Sequence, residues 1–170
     1  ADLPGDRWRF TLAHELGHIV MHDIPAETME DEADQFAAEF LMPERDIRPE
    51  FSRRRRLDLE TLANLKLFWK VAMQSLLRRS RDLGYMSENQ ARYLYQQMSS
   101  LGYRTQEPVH IEREQPKTVQ ALLNCFVDQM GYTRDQLSSF LHSNNDDVEK
   151  LYQVKLRPKP VGKPKLRLVT

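Results

Sequence analysis

One short segment, residues 11–22 with the sequence TLAHELGHIVMH, constrains this chain more than any other. It places His14 and His18 four positions apart in the pattern H-E-x-x-H. On an α-helix, residues at this spacing lie on one face about one turn apart. Two imidazoles in that arrangement can bind one tetrahedral zinc ion. The segment therefore predicts a helix that carries two metal ligands.

The residues around the histidines add a proton carrier and a packing surface. Glu15 can lean over the open coordination position, take a proton from zinc-bound water and return it to a leaving amine. Gly17 costs a helix about 1 kcal/mol relative to Ala, so its presence predicts close approach by another backbone. An apolar side, which predicts a buried helix, consists of Leu12, Leu16, Ile19 and Val20. Taken alone, the pattern also fits a helix with two partly buried histidines that bind no metal.

A second helix is predicted over residues 30–43, EDEADQFAAEFLMP. Its apolar positions recur at helical spacing, a proline ends the pattern, and its two small alanine positions would allow close packing on the first helix. Glu30 and Asp34 lie one turn apart on the same side of this helix. A glutamate there can supply a third zinc ligand, and the aspartate can accept a hydrogen bond from the outer nitrogen of a ligand histidine.

Two other residues compete for a place in the site. Glu32 lies two positions after Glu30, and residues so spaced on a helix point about 200° apart, so both cannot face the metal. His22 lies one turn beyond the second histidine. A metzincin site would need a glycine at position 21 and a histidine at 24, whereas this chain has Met21 and Ile24. We therefore expect a structural role for His22.

Residues 7–18, RWRFTLAHELGH, followed by E-x-x-A-D-x-F-A-x-x-F-L-M-P over residues 30–43, resemble the ImmA/IrrE family of zinc metallopeptidases. The resemblance covers about residues 6–47. Known members of this bacterial and phage family cut a helix-turn-helix repressor at one site and so release its genes. The resemblance implies a site-specific zinc endopeptidase that acts in a stress or mobile-element switch, with a DNA-binding repressor as its protein substrate.

The resemblance also assigns residues to roles. It implies that His14 and His18 are zinc ligands and that Glu15 is the general base. It favours Glu30 over the glutamate two positions later as the third ligand, because E-x-x-A-D is typical of zinc peptidases that use glutamate. It also implies that Asp34 is a hydrogen-bond partner outside the ligand set. The implied fold is mainly α, a partial zincin-like core of the glutamate-ligand type followed by a helical module.

The start of the chain departs from this family pattern. About ten residues precede the zinc helix, whereas such peptidases carry a small sheet there, whose edge strand holds the substrate. We expect the upstream strands to be missing or to come from another chain. The 170 residues alone would then retain metal but cleave poorly.

Composition narrows the setting of the protein. The single cysteine, Cys125, excludes an internal disulfide framework and predicts a reduced, cytoplasmic protein. There is no apolar run near 18 residues and no signal-peptide pattern, which argues against a membrane protein. Residues 1–50 hold 4 Arg, no Lys and 13 Asp or Glu, whereas residues 51–170 hold 21 basic and 12 acidic residues. The basic part could face nucleic acid, an acidic partner or the acidic part itself.

Three domains are predicted: the peptidase core at 1–50, a helical region with possible helix-turn-helix character at 51–106, and C-terminal helices with a basic, Pro-rich tail at 107–170. Residues 44–52 are interpreted as a connection because they contain Pro49, and residues 107–112 as an extended stretch or short strand. Residues 59–83 are predicted to be helical, with a turn near positions 70 and 71.

Nucleic-acid contact is a separate hypothesis for the second domain. After the predicted turn, Arg78, Arg79 and Arg81 would stack on one helix and meet phosphates. The alternative is that this helix is plain core. Large side chains expected in the interior are Trp69, Met73, Leu76, Leu122, Leu123 and Phe126. Two other functions are alternatives to a peptidase: a catalytically silent metal-binding regulator and a DNA-binding regulator.

Overall fold

The computed structural model describes residues 3–54 and 56–152, and within them it contains nine helices and no strand. The mainly α prediction is therefore confirmed. The helices are α1 (Gly5–Met21), α2 (Met29–Leu41), α3 (Glu44–Ser52), α4 (Leu59–Trp69), α5 (Met73–Asp82), α6 (Glu88–Ser100), α7 (Thr118–Asp128), α8 (Arg134–Phe140) and α9 (Asn145–Tyr152). No helix in this described part of the chain is both long and apolar enough to span a membrane.

Helices α1 and α2 pack through small residues. Ala13 and Gly17 are the buried contacts on α1, and Ala33 and Ala37 are those on α2. A Cβ added at Gly17 would lie 3.1 Å from Cδ1 of Phe36 and 3.3 Å from Cα of Ala33. Such distances are tighter than ordinary van der Waals contact. The glycine is therefore needed because the second helix crosses directly over it, as its place in the sequence predicts.

The apolar side of α1 is not buried, which corrects the sequence-based expectation. Its members are exposed: Leu12 50 %, Leu16 37 %, Ile19 80 % and Val20 64 %. Helix α2 covers the alanine and glycine side of α1 instead. Periodicity predicted an apolar face correctly but could not say which neighbour, if any, covers it.

Residues 44–52 form helix α3, so their interpretation as a connection is wrong. Pro49 lies inside this helix. Its missing N–H removes one hydrogen bond, the one that would reach the carbonyl of Arg45. The helix also buries Ile47 and Phe51, at 0 % and 2 % exposure, against the core. Burial of two large side chains stabilises the helix by more than the lost hydrogen bond costs.

A sharp turn separates α4 from α5, at the predicted position. The Asp58 side chain accepts a hydrogen bond from the Thr61 backbone N–H at 2.8 Å and so caps the start of α4. Lys70 ends this helix in the left-handed conformation, with φ of 57°. Two helices joined by a turn do not alone make a DNA-binding motif, so nucleic-acid contact stays a prediction.

The main core lies among α3, α4, α5 and α6. Met73 and Leu76 are fully buried in it, whereas Trp69 is partly buried against it. A smaller cluster joins α7 and α8, where Leu123 is buried and Phe126 packs at the edge. These positions were expected in the interior. The remaining buried members of the main cluster are Met42, Ile47, Phe51, Leu57, Leu62, Leu65, Val71, Leu77, Met86, Ala91, Leu94 and Met98.

Leu122 corrects the same expectation, because it is 55 % exposed. On α7, Leu123 and Val127 are four residues apart and face the small cluster together. Leu122 precedes Leu123 by one position and is therefore rotated by about 100° away from that face. The apolar run contained more leucines than the small cluster buries.

A buried ionic group ties α1 to the helical region. Lys66 Nζ lies 2.8 Å from Oδ2 of Asp6 and 2.6 Å from Oε2 of Glu107. The same Glu107 oxygen accepts the backbone N–H of Met73 at 3.0 Å. Removal of one partner from a buried pair leaves an uncompensated charge, which is strongly destabilising. This group therefore fixes the first turn of α1 on α4 and α5.

Residues 107–112, predicted to be an extended stretch or a short strand, form an irregular segment without a strand. The Gly5 N–H at the start of α1 donates to the carbonyl of Ile111 at 2.8 Å. A Cβ at Gly5 would lie 2.2 Å from the carbonyl oxygen of Glu112. The segment contacts the start of α1 and pairs with no strand among the described residues, so of the two alternatives the short strand is wrong.

The chain divides into two compact units, one reaching to Glu114 and the other starting at Gln115. The first unit contains both regions that the sequence analysis separated at residue 50. The second contains α7, α8 and α9. The predicted basic, Pro-rich tail lies outside the described residues.

Candidate metal centre

Three potential ligand atoms converge where α1 meets the first turn of α2. The Nε2 atoms of His14 and His18 lie 3.0 Å apart. Glu30 places Oε2 3.3 Å from Nε2 of His14 and Oε1 3.4 Å from Nε2 of His18. Ligand atoms about 2.0–2.1 Å from a tetrahedral zinc ion lie about 3.3–3.4 Å from one another. The observed spacings are close to that edge length, so the donor set fits such an ion.

The elements explain why these atoms meet. The two histidines project from one face of α1, with rings 4.7 Å apart at 81°. Glu30 belongs to the first turn of α2, which the close crossing at Gly17 brings beside that face. Its side chain is 80 % exposed, whereas the histidine side chains are 18 % and 21 % exposed. The candidate centre therefore has two shielded potential ligands and one side open to solvent.

The outer nitrogen of His14 is held by an acidic residue. Its Nδ1 lies 2.9 Å from Oδ1 of Asp34, and Oδ2 of the same carboxylate accepts from Nη1 of Arg78 at 2.6 Å. If Nδ1 donates its proton to Asp34, then Nε2 carries the lone pair that a metal requires. The geometry thus favours the tautomer that can bind metal.

The outer nitrogen of His18 is held in another way. Its Nδ1 lies 3.0 Å from Nδ1 of His22, whose Nε2 lies 3.1 Å from Oε2 of Glu32. Thr28 Oγ1 donates to the other oxygen of Glu32 at 2.7 Å. The Thr28 hydrogen bond, and then the one from His22, hold the pKa of Glu32 below its usual value. If Nε2 of His18 is free to bind metal, then Nδ1 of His18 donates a hydrogen bond to Nδ1 of His22. Nε2 of His22 in turn donates a hydrogen bond to Glu32.

These contacts separate the two glutamates that the sequence left in competition. Glu30 lies against His14 and His18, whereas Glu32 lies against His22. Within residues 3–54 and 56–152, only His14, His18 and Glu30 form a group of three or more potential ligands. The four-residue spacing from His18 to His22, which follows the last residue of α1, could have indicated that these two side chains meet, because residues so spaced lie close together at a helical turn.

Glu15 follows His14 on α1 and is exposed. One residue along a helix is a rotation of about 100°, so Glu15 leaves the face that α2 covers. It is therefore free of the packed interface and beside the histidines.

The three arginines expected to meet phosphates have partners within the chain. Arg79 is 8 % exposed, and it donates from Nε to the carbonyl of Met42 at 3.2 Å and from Nη2 to Glu39. Arg81 donates to Asp82 at 2.8 Å. The third, Arg78, reaches Asp34. Arg79 is buried because acidic residues of α2 face this helix, whereas nucleic-acid contact through this group of arginines stays a prediction.

A cleft of about 800 Å³ lies between α2 and the helices α5 and α6. Its lining includes Phe10, Asp34, Arg78 and Tyr95 but none of the three potential ligands. Burial raises the pKa of the Tyr95 hydroxyl above its usual value. Since acidic and basic side chains alternate around it, the cleft carries no strong charge of one sign.

A comparison with known protein families gave one match. The family model for the IrrE N-terminal-like domain, Peptidase_M78, matches residues 1–81. Neither the curated proteins nor the solved structures gave a match. The matched range contains both helices of the metal centre, and it also contains Arg78. Residues 1–81 of this chain are therefore similar to the IrrE N-terminal-like domain, a family of peptidases.

Proposed function

We propose that this protein is a zinc-dependent, site-specific endopeptidase. The observation that carries the proposal is the convergence of His14, His18 and Glu30 within 4.8 Å of one another, beside an exposed Glu15. Two imidazoles and one carboxylate with an open position are typical of catalytic zinc. The family match over residues 1–81 supports peptidase chemistry at this place.

The residues divide the work as follows. Zinc held here would polarise the peptide carbonyl and lower the pKa of water. Glu15 takes the proton from the attacking water and delivers it to the leaving amine. Asp34 keeps His14 in the metal-binding tautomer, and His22 does the same for His18. The open side beside Glu30 admits an extended peptide.

The substrate that we propose is one site in a DNA-binding repressor of the helix-turn-helix type. The family resemblance supports this choice, because its known members relieve repression by a single cut. A small repressor encoded in the neighbouring reading frame is therefore the first candidate to test.

The experiment compares Glu15→Gln with the unaltered protein. Zinc content is measured by atomic absorption, and cleavage of the neighbouring repressor by mass spectrometry. We expect one zinc ion in both proteins and cleavage, slow for these 170 residues, only without the substitution, because Glu15 carries protons and not metal. Glu27→Gln, another exposed glutamate, is the matched control and should cleave normally. Stoichiometric zinc with no cleavage of any repressor would favour a metal-binding regulator instead.

A further inference from the structure

A contact from the helical region reaches the metal centre through a single carboxylate. Arg78 on α5 donates to Oδ2 of Asp34 on α2 at 2.6 Å. Oδ1 of that carboxylate lies 2.9 Å from Nδ1 of His14 on α1. We propose that Arg78 is a positioning residue of the metal centre, which acts by holding Asp34 in the orientation that fixes His14. The proposal rests on metal binding by the proposed peptidase.

Both oxygens of the Asp34 carboxylate are engaged, each by one partner. The carboxylate can rotate about its own bonds, so one hydrogen bond to His14 leaves its plane undetermined. The second bond, from Arg78, removes that freedom. Outer partners of this kind orient a ligand ring, and their loss typically lowers metal affinity. Arg78 thus extends the chain of positioning contacts by one residue.

The other arginines of α5 do not share this role. Arg79 reaches Glu39 and the Met42 carbonyl, and Arg81 reaches Asp82 and Glu88. None of these acceptors touches a potential metal ligand in the described contacts. The second acidic neighbour of Arg78, Asp82, lies 3.8 Å away, farther than a hydrogen bond. Arg78 is therefore specifically directed at Asp34.

Arg78 has two effects on a cation at the centre, and they oppose each other. Its hydrogen bond orders Asp34 and so favours binding. Its positive charge repels the metal, but its side chain is 43 % exposed and the repulsion is screened by solvent and salt. A cycle of single and double substitutions separates the effects, because only the first passes through Asp34.

The test measures zinc affinity of the full chain by competition with a chromogenic chelator at about 0.15 M salt, where charges are screened beyond about 8 Å. We expect Asp34→Ala to weaken binding by about 10–100-fold. Arg78→Met should weaken it by about two- to five-fold, the range of an exposed ion pair. In the Asp34→Ala background, Arg78→Met should cause no further weakening. Arg78→Lys, which keeps a charged donor, should recover part of the loss.

Arg81→Met is the matched control, since it removes an arginine from the same helix and should leave zinc affinity unchanged. Thermal unfolding without metal checks folding, and Arg78→Gln replaces Arg78→Met if the latter does not fold. The inference would be overturned if Arg78→Met weakened zinc binding equally with and without Asp34, or did not weaken it at all. The proposed function would still stand in that case, provided that the unaltered protein binds zinc. Unaltered protein that binds no zinc would overturn both.

Discussion

The contact between α1 and α2 makes a sharp prediction for Gly17→Ala. Alanine is favoured over glycine in a helix by about 1 kcal/mol, so on propensity alone the change would stabilise the protein. The new Cβ would, however, lie 3.3 Å from the Ala33 Cα and 3.1 Å from a ring carbon of Phe36. The ring can rotate, but the Cα belongs to the α2 backbone, so that helix must move by a few tenths of an ångström.

The magnitudes decide the sign of the effect. Overpacking a tight contact costs about 1–3 kcal/mol. Over most of that range the cost is larger than the gain in helix propensity. We expect a net loss of about 1 kcal/mol in the free energy of unfolding. We also expect weaker zinc binding, because α2 carries Glu30 and its displacement moves that carboxylate from His14 and His18.

Urea unfolding of the metal-free protein and chelator competition measure the two effects. Thr11→Ala is the control, since Thr11 is an exposed position of α1 where propensity acts alone. It should stabilise the protein by a few tenths of a kcal/mol, within about 0.7. A Gly17→Ala protein that is more stable than the unaltered one and binds zinc equally well would refute the argument from close approach.

Three further predictions concern the site, the core and a helix cap. Glu30→Ala should abolish tight zinc binding whereas Glu32→Ala should only weaken it, as followed by chelator competition; the reverse order would assign the third ligand to Glu32. Leu76→Ala should lower the free energy of urea unfolding by about 2–5 kcal/mol, and Leu122→Ala by less than about 0.5; equal losses would contradict the assigned burial. Asp58→Ala should cost about 1 kcal/mol at neutral pH. Hydrogen bonds to its carboxylate lower the pKa of Asp58, so this contribution is present above the ordinary pKa and disappears as pH falls through the lowered one. An Asp58→Ala loss that persists in strong acid would argue against the cap.

Local periodicity accounts for what could be read from the sequence. The spacing of His14 and His18 lies within one helix, and Glu30 opens the next. Both helices follow from apolar and small residues at helical intervals, and Gly17 indicated their close crossing. These features depend on neighbours within a few residues, so a single sequence contains them.

Contacts between distant residues account for the rest. Arg78 meets Asp34 across 44 positions, and no spacing rule predicts that pair. The exposed Leu12 side of α1 was misjudged for a related reason, since a pattern shows that a face is apolar but not what lies against it. Pro49 was read as a helix breaker, although burial of its neighbours outweighs one lost hydrogen bond.

His14 and His18 are held by different kinds of partner, which predicts that they respond differently to unfolding. His18 relies on His22, the residue that follows the last residue of α1 and meets Glu32 on α2, so its support requires α1 and α2 but not α5. His14 relies on Asp34, which in turn meets Arg78 on α5, so its support requires three helices to be packed. Loosening the packing of α5 should therefore disturb His14 before His18. Imidazole proton signals in NMR would report this order during mild urea titration, and simultaneous loss of both would mean that α1 responds as a single rigid unit.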